Sequence, residues 1–240
     1  MDLSLSYRSM LPTLPAASVQ INDVWRVAMV LAGLGLPLDD WCPPADTPED
    51  ALRNRAFEQD GPSAAALAIF KEKDRGRTNE DMRSIVVWNG IEKDGLMLMR
   101  HLLFSTESPT NSTFSLEWSK VPALAEKKSV VRLIESLLPI WPAPFVSVSE
   151  ARYEAIHKVF DDRPGVGWML YLPRTINTQQ VPEAQELIAV HDKDGGQQGT
   201  IIVSIRDEPF SVDNEEHIKV AASIEMRLVE HDLLPRYSDL

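Results

Sequence analysis

The sequence has little cysteine, no long apolar run and no export signal. Its single cysteine, Cys42, excludes a disulfide within the chain. The most apolar run, Val24 to Leu36, is thirteen residues long and therefore too short to cross a bilayer. The first twenty residues hold no apolar run after Arg8, which argues against a signal peptide. We therefore expect a protein of the cytoplasm, a reducing compartment, with no membrane partner.

Positive charge is also scarce, and the negative charge is unevenly placed. The chain holds 24 Lys and Arg against 36 Asp and Glu, which gives a net charge of −12. Nucleic-acid binding needs a basic footprint, so this balance excludes a nucleic-acid partner and favours a basic protein. Asp39 to Asp60 carries a net charge of −5, and Asp207 to Asp232 carries −6. Solubility alone is an alternative explanation for each stretch.

Motifs for catalysis, metal binding and cofactor binding are missing. No His-Glu-x-x-His, Gly-x-Ser-x-Gly or Gly-x-Gly-x-x-Gly occurs in the chain. Cys42 lies among acidic residues, which raise a thiol pKa and oppose its use as a nucleophile. Glu154 and His157 have helical spacing, and we interpret them as an exposed helix contact. The sequence thus predicts a protein that is not an enzyme, with no catalytic residue, no metal site and no cofactor.

The order of sequence patterns indicates an α+β fold, with a mostly antiparallel sheet of hairpins, several helices and a long C-terminal amphipathic helix. Turns at Lys93-Asp94-Gly95 and Asp194-Gly195-Gly196 separate β-rich runs and predict two hairpins. Alternation predicts further strands at residues 3–7 and 114–118. Helices are predicted at about residues 18–34, 48–58, 63–76, 130–138, 150–160 and 214–232, with N-caps at Ser18, Thr47, Ser149 and Asp213.

The domain organisation follows from the same patterns. We predict one domain over residues 1–240. Prolines after the helix at 130–138 mark a possible seam near residues 139–144. A break of this kind more often joins elements of a single core.

The stretch Arg163 to Pro173, RPGVGWMLYLP, combines two glycines with an apolar strand. Trp168, Leu170 and Leu172 alternate with Met169 and Tyr171, so that both faces of the strand are apolar. We therefore expect the strand to be covered on both sides.

Three blocks of the sequence, in this order, resemble immunity family 52 of the bacterial polymorphic toxin systems. They are Phe160 to Pro173, Gly199 to Val203 and Phe210 to Pro235. The resemblance implies an α+β protein that neutralises a cognate nuclease toxin by stoichiometric complex formation. It implies a contact-dependent or type VI secretion setting and a toxin with a restriction-endonuclease-like domain. The family-like motif, acting in the fold or in toxin contact, comprises Gly165, Gly167, Trp168 and Tyr171.

Toxin contact is assigned to the acidic stretch from 39 to 60, because it lies outside the matching blocks and variable surface segments suit discrimination between related toxins. The candidate residues are Asp39, Asp40, Glu49, Asp50, Glu58 and Asp60. Two alternative functions stay open. One is a metal-dependent nuclease that uses Glu126 and Lys128, although no aspartate-bearing strand precedes them. The other is an acidic adaptor or structural subunit of a secretion apparatus.

Overall fold

The structure, a computed structural model, describes residues 1–239. They form two units. Unit 1 comprises Met1–Ser6, Leu124–Glu135 and the chain from Pro142, and unit 2 comprises Tyr7–Ala123 and Ser136–Trp141. The chain passes between the units four times, at residues 6/7, 123/124, 135/136 and 141/142, and the last of these crossings lies in the stretch where the sequence marks a possible seam. A single domain over the whole chain stays a prediction.

Strands and helices are interspersed along the described chain. The strands are β1 (Asp2–Tyr7), β2 (Phe57–Glu58), β3 (Gly61–Pro62), β4 (Met82–Trp88), β5 (Met97–Phe104), β6 (Ser112–Trp118), β7 (Val146–Ser149), β8 (Met169–Leu172), β9 (Glu186–His191) and β10 (Gln197–Val203). The helices are α1 (Ala17–Ala32), α2 (Pro48–Ala51), α3 (Ala64–Arg75), α4 (Lys127–Leu137) and α5 (Glu215–Glu230). Within residues 1–239, no helix is both long and apolar enough to cross a membrane.

Three antiparallel strands and α1 form the centre of unit 2. β5 pairs with β4 on one side and with β6 on the other. Alternate residues of β5 point into the core and are buried, namely Met97, Met99, His101 and Leu103. The buried amide of Gln20, in α1, donates to the carbonyls of Arg83 and His101 at 3.3 and 3.0 Å. These bonds tie the helix to the sheet.

In unit 1, five antiparallel strands lie in the order β1-β7-β8-β10-β9. All four residues of β8 are buried, which confirms that this strand is covered on both faces. α5 buries the predicted apolar positions Ala221, Ile224 and Leu228. Antiparallel hairpins and helices in both units confirm the predicted α+β fold.

Two predicted features near the N-terminus are wrong in detail. α1 begins at Ala17, so Ser18 lies inside the first turn and is not the N-cap. α2 is much shorter than predicted and does not reach Glu58. The reason is a tertiary contact: the Ala56 amide donates to the Trp41 carbonyl at 2.6 Å, and the chain then continues as β2.

Two predictions in the second half of the chain are also corrected. Instead of a helix to about residue 160, the chain forms one π-helical turn at Tyr153–His157, and Ser149 stays in β7. α5 is capped by Asn214 rather than Asp213, because the Asn214 side chain accepts a backbone N–H two residues on at 3.0 Å. Both residues belong to types that cap helices, so their geometry decided between them.

Candidate functional site

The acidic segment Asp39–Asp60 belongs to unit 2, where its chain is attached to the end of β4. The Cys42 and Trp88 backbones exchange hydrogen bonds of 2.8 and 3.1 Å in an isolated bridge. The bond from the Ala56 amide to the Trp41 carbonyl joins the two halves of the segment. Four of its apolar side chains are buried beneath it, namely Trp41, Ala51, Ala56 and Phe57. The segment is therefore a folded surface rather than a loose loop.

The N-terminus of α2 forms within this segment as its sequence predicts. Thr47 Oγ1 accepts the Asp50 amide at 3.2 Å, and Pro48 occupies the first helical position. Glu49 and Asp50 lie in the first turn, where unpaired backbone N–H groups favour negative charge. The cap holds these two carboxylates in fixed positions at the surface.

The candidate carboxylates are exposed, apart from Asp50, which is half-buried. Asp39 pairs with Arg55 at 2.9 Å, and Asp50 pairs with Arg53 at 2.8 Å. Both arginines of the segment are thus engaged inside it. The four other candidates make no ion pair with any residue from 1 to 239: Asp40, Glu49, Glu58 and Asp60. Unopposed negative charge therefore faces solvent on this side of unit 2.

Two exposed apolar side chains beside the acidic segment were missed by the sequence reasoning. Leu52 follows α2 and is 57% exposed, and Ile91 follows β4 and is 44% exposed. Leu52 lies against Gly90, where an added Cβ would be only 2.5 Å from Leu52 Cδ2. For Leu52, the sequence offered one indication of exposure, because Glu49 and Asp50 precede this apolar residue and Arg53 follows it.

Cys42 and His101 of unit 2 are both buried, in surroundings that do not favour catalysis. Burial raises the pKa of the Cys42 thiol, and nearby Asp40 raises it further. Burial lowers the pKa of His101 to about 3, so its ring is neutral near pH 7. The His101 ring lies 2.8 Å from the Tyr7 hydroxyl and 4.6 Å from the centroid of Trp141. Neither group is prepared for nucleophilic or acid–base chemistry.

The family-like motif is buried in unit 1 at all four of its residues, Gly165, Gly167, Trp168 and Tyr171. Gly167 has a φ of 49°, and an added Cβ would lie 2.8 Å from the Ser149 Cα. Trp168, only 1% exposed, donates from Nε1 to the Ile205 carbonyl at 2.9 Å. Gly167 thus permits the backbone just before β8 to approach β7 closely, and the Trp168 indole fills the core beside this contact.

A buried carboxylate, Glu225, lies next to this motif and was also missed. Its carboxylate accepts the Tyr153 hydroxyl at 2.7 Å and the amides of Val159 and Val166 at 2.7 and 2.9 Å. Burial raises the pKa of Glu225, and these three hydrogen bonds oppose the increase. A glutamate beside the apolar stripe of α5 was the signal in the sequence. The network joins α5 to the π-helical turn and to the residue between the two motif glycines.

Glu154 and His157 do not form the predicted exposed helix contact. Both lie on the π-helical turn, where Glu154 Oε1 and His157 Nε2 are buried without a hydrogen-bond partner among the described residues. Burial raises the pKa of Glu154, against the attraction of the Lys158 ammonium. A Cβ at Gly165 would lie 2.5 Å from Glu154 Oε1. The absence of a side chain at Gly165 therefore makes room for this carboxylate.

Metal chemistry gains no support from the described part of the chain. Within residues 1–239, no group of three or more His, Cys, Asp or Glu side chains could hold a metal ion. Lys127, in the middle of the Glu126–Lys128 match, pairs with Glu186.

The fold is that of an α+β protein with an exposed acidic segment on unit 2. The family model of immunity protein 52 matches residues 17–236, so the chain belongs to this family and has an immunity role. No curated protein sequence matches the chain. Among solved structures, it is similar in fold to the Pseudomonas aeruginosa T6SS protein PA0821, with a TM-score of 0.50 and 10% identity. The similarity covers 93% of this chain and 75% of that one.

Proposed function

We propose that this protein binds and neutralises a cognate nuclease toxin of a bacterial contact-dependent or type VI secretion system by stoichiometric complex formation. The observation that carries the proposal is the set of unopposed carboxylates on the folded acidic segment. A nuclease site is basic because it binds phosphates, so an acidic surface of this kind complements it. The family supports the immunity role, and the similarity in fold to a T6SS protein supports the secretion setting.

The acidic segment is proposed as the toxin-binding surface, through Asp39, Asp40, Glu49, Asp50, Glu58 and Asp60. Its charge would accelerate encounter with the toxin, and its folded backbone would limit the entropy lost on binding. The buried motif around Trp168 is proposed to act in folding rather than in toxin contact, because a buried side chain offers no surface to a partner.

The protein is further proposed to act without catalysis, metal or cofactor. It would act in the cytoplasm, where it would meet a toxin that has entered the cell. Its acidity and its family support a protein partner rather than nucleic acid or a membrane. In such a mechanism, one molecule protects against one toxin for as long as the complex lasts.

The test is reconstitution with the cognate nuclease toxin domain. We expect a complex of defined stoichiometry by light scattering, loss of the domain's nuclease activity, and survival of cells that express both chains. Absence of a complex at micromolar concentrations would refute the proposal.

The two alternatives predict different results. DNA or RNA cleavage by the purified protein with magnesium or manganese, abolished by Glu126→Ala, would support the nuclease. Stable assembly with purified subunits of the secretion apparatus, without protection against the toxin, would support the adaptor.

A further inference from the structure

We propose that an extended segment of the toxin binds as an added strand along the outer edge of β4. An apolar side chain of that segment enters the cavity beside this edge, and one of its carboxylates contacts Lys73. Ser84 and Val86 together are named the open edge. The inference rests on the proposed function and adds how the toxin is held.

The open edge consists of backbone groups without a partner. Among the described strands, β4 pairs only with β5. The Asn89 amide donates to the Met97 carbonyl at 3.0 Å, so the odd-numbered residues of β4 face β5 and the even-numbered residues face outward. No residue from 1 to 239 forms a hydrogen bond with the backbone N–H or C=O groups of Ser84 and Val86. Four hydrogen-bonding groups are therefore available to another strand.

The chain itself begins to pair with this edge and then leaves it. Trp88, which also faces outward, exchanges backbone hydrogen bonds with Cys42 in an antiparallel bridge. Continued pairing would set Pro44 opposite Val86, and proline has no N–H to donate. The unpaired groups recur with the repeat of a strand, so an extended strand is the partner that satisfies them. Because Cys42 belongs to the acidic segment, such a strand continues from the proposed toxin-binding surface.

A cavity of about 280 Å³ lies beside the open edge, between β4 and the C-terminal end of α3. Phe70 and Ile85 form its apolar part and are 4% and 0% exposed. In an added strand, the residue opposite Ile85 forms a non-hydrogen-bonded pair and points to the same face of the sheet. An apolar side chain at that position therefore enters the cavity.

The charged part of the cavity holds more cations than acids. Lys73, Arg77 and Arg83 line it, and Asp74 is the one acid among its described lining residues. Arg83, 6% exposed, donates to both Asp74 oxygens at 2.8 Å, and Arg77 Nε lies 3.2 Å from the same carboxylate. Lys73 forms no ion pair with any residue from 1 to 239. A carboxylate of the partner can therefore pair with Lys73.

The other acids near the cavity in sequence do not cancel this positive charge. Glu72 pairs with Arg75 at 2.9 Å. The Asp81 carboxylate accepts the Ser105 hydroxyl at 2.9 Å. Neither Asp81 nor the exposed Glu80 lines the cavity. The excess of cations therefore persists where the partner's carboxylate would bind.

The two contacts predict the sequence of the toxin segment. Side chains opposite Ile85 and Arg83 lie on one face of an added strand, two residues apart. In an antiparallel strand, the direction in which Cys42 pairs, the apolar residue comes first and the acid follows two positions later. The cavity accepts a carboxylate and the acidic segment accepts basic groups, so the two surfaces together fix the orientation of the toxin.

The experiment measures association and dissociation rates against the cognate nuclease toxin domain. Ser84→Pro removes one outward N–H and leaves the β4–β5 hydrogen bonds in place. We expect it to raise the dissociation rate at least about tenfold. Lys73→Glu should raise the dissociation rate by a similar factor. Lys71→Glu, at an exposed residue of the same helix outside the cavity, should not.

The edge strand β9 provides the matched control for the proline substitution. Among the described strands, it pairs only with β10. The Ser204 amide donates to the Trp168 carbonyl at 3.0 Å, so the even-numbered residues of β10 face β8. Ala189 is exposed and lies opposite Thr200, and its backbone groups therefore face outward. Ala189→Pro should leave both rates at wild-type values.

Hydrogen exchange of the wild-type complex tests the open edge without a substitution. The amides of Ser84 and Val86 should exchange at least about tenfold more slowly in the complex than in the free protein. The Ala189 amide should exchange at the same rate in both. This measurement decides the question even if Ser84→Pro does not fold.

The outcomes separate this inference from the function on which it rests. If wild-type protein fails to bind the toxin domain, the proposed function fails. If it binds and the Ser84 and Val86 amides gain no protection, or if a folded Ser84→Pro variant dissociates no faster than Ala189→Pro, the open edge is refuted while the function stands. Wild-type rates for Lys73→Glu refute the carboxylate contact. Equal denaturation midpoints verify that each variant is folded.

Discussion

The acidic segment and the motif around Trp168 differ in burial and charge. The acidic segment exposes charged side chains, whereas the motif is buried. The acidic segment has five surface carboxylates without an ion pair among residues 1–239, over a small buried base, whereas the motif is buried at every characteristic position. Charge at the surface contributes little to folding and much to the rate of association. Burial contributes mainly to stability. Substitutions in the two regions should therefore separate into loss of binding and loss of fold.

The sequence blocks that resemble the family contain glycines in closely packed, buried positions. A side chain at Gly167 would approach the Ser149 backbone within 2.8 Å, and one at Gly199 would lie 2.6 Å from the Leu172 carbonyl. Both glycines thus belong to close contacts between strands of unit 1. A family motif of this kind identifies the fold and leaves the surface free to vary between toxins.

The largest expected effect is that of Trp168→Ala. Removing a buried indole and its bond to the Ile205 carbonyl should lower the free energy of unfolding by about 3–5 kcal/mol. Chemical denaturation gives the value, and Ile156→Ala, at a side chain 69% exposed, is the control that should change little. An unchanged denaturation midpoint together with lost toxin binding would identify Trp168 as a toxin-contact residue. The distinction between a surface for binding and a buried motif for folding would then fail.

Glu225→Ala should be the next most damaging change. It leaves the Tyr153 hydroxyl and the Val159 and Val166 amides buried without their acceptor, at a cost of about 2–4 kcal/mol. The same denaturation experiment measures it. Met226→Ala, the neighbouring residue with a side chain 51% exposed, is the control. Equal stability of the two variants would show that water satisfies the released donors.

Neutralising the acidic segment should affect binding and spare the fold. With Asp39→Asn, Asp40→Asn, Glu49→Gln and Asp50→Asn combined, we expect about tenfold slower association with the toxin domain at low salt and a flatter salt dependence. The change also releases Arg53 and Arg55 from their ion pairs, which adds unopposed positive charge. The unfolding free energy should stay within about 0.5 kcal/mol of wild type.

The matched control for this variant carries the same number of neutralised acids in unit 1. These are Asp207→Asn, Glu208→Gln, Glu215→Gln and Glu216→Gln, all at exposed residues. Slower association in this control, with wild-type kinetics for the first variant, would move the binding surface to the C-terminal acidic stretch.

The smallest expected effect is on the pH dependence of stability. Burial raises the pKa of Glu225 in the folded state. Between the ordinary pKa of a glutamate and this higher value, the folded protein therefore keeps a proton that the unfolded chain has released. This group therefore stabilises the fold more at low pH, and its contribution falls as pH rises from its ordinary pKa through the folded value. The advantage of wild type over Glu225→Gln should therefore be larger at about pH 5 than at about pH 7.

Asp74 and Glu183 titrate with the opposite sign, since hydrogen bonds from Arg83 and Arg227 lower the pKa of these carboxyls. They are present in both proteins, so their contributions cancel in the difference. If the difference in unfolding free energy between wild type and Glu225→Gln is the same at both pH values, the raised pKa of Glu225 is contradicted.

Local patterns predicted the elements whose signals are complete within a few residues. The Asp-Gly turns placed both hairpins, the alternation at residues 3–7 and 114–118 placed β1 and β6, and the Thr47 cap placed the start of α2. In each case, turn geometry, the period of two or a single side-chain bond decides the structure locally. The end of α2 was mispredicted because the contact between Trp41 and Ala56 is tertiary.

The π-helical turn and its buried carboxylates lay beyond local prediction. Helical spacing of Glu154 and His157 suggested an ordinary exposed helix, but partners from α5 and from the motif glycines determine that backbone. Likewise, the sequence analysis predicted Asp213 as the cap of α5, although Asn214 is also of a residue type that caps helices. Only the hydrogen bond that forms in the fold distinguishes them.

By itself, the sequence determined the α+β class, the excess of negative charge and the buried nature of the β8 strand, because composition and short-range periodicity carry these properties. The family came from the resemblance of three sequence blocks. The tertiary structure decided which acids stand unopposed, that Leu52 rests on Gly90, and that Glu225 is buried with three donors. These depend on contacts between residues far apart in the chain, and on side-chain burial that no local pattern specifies.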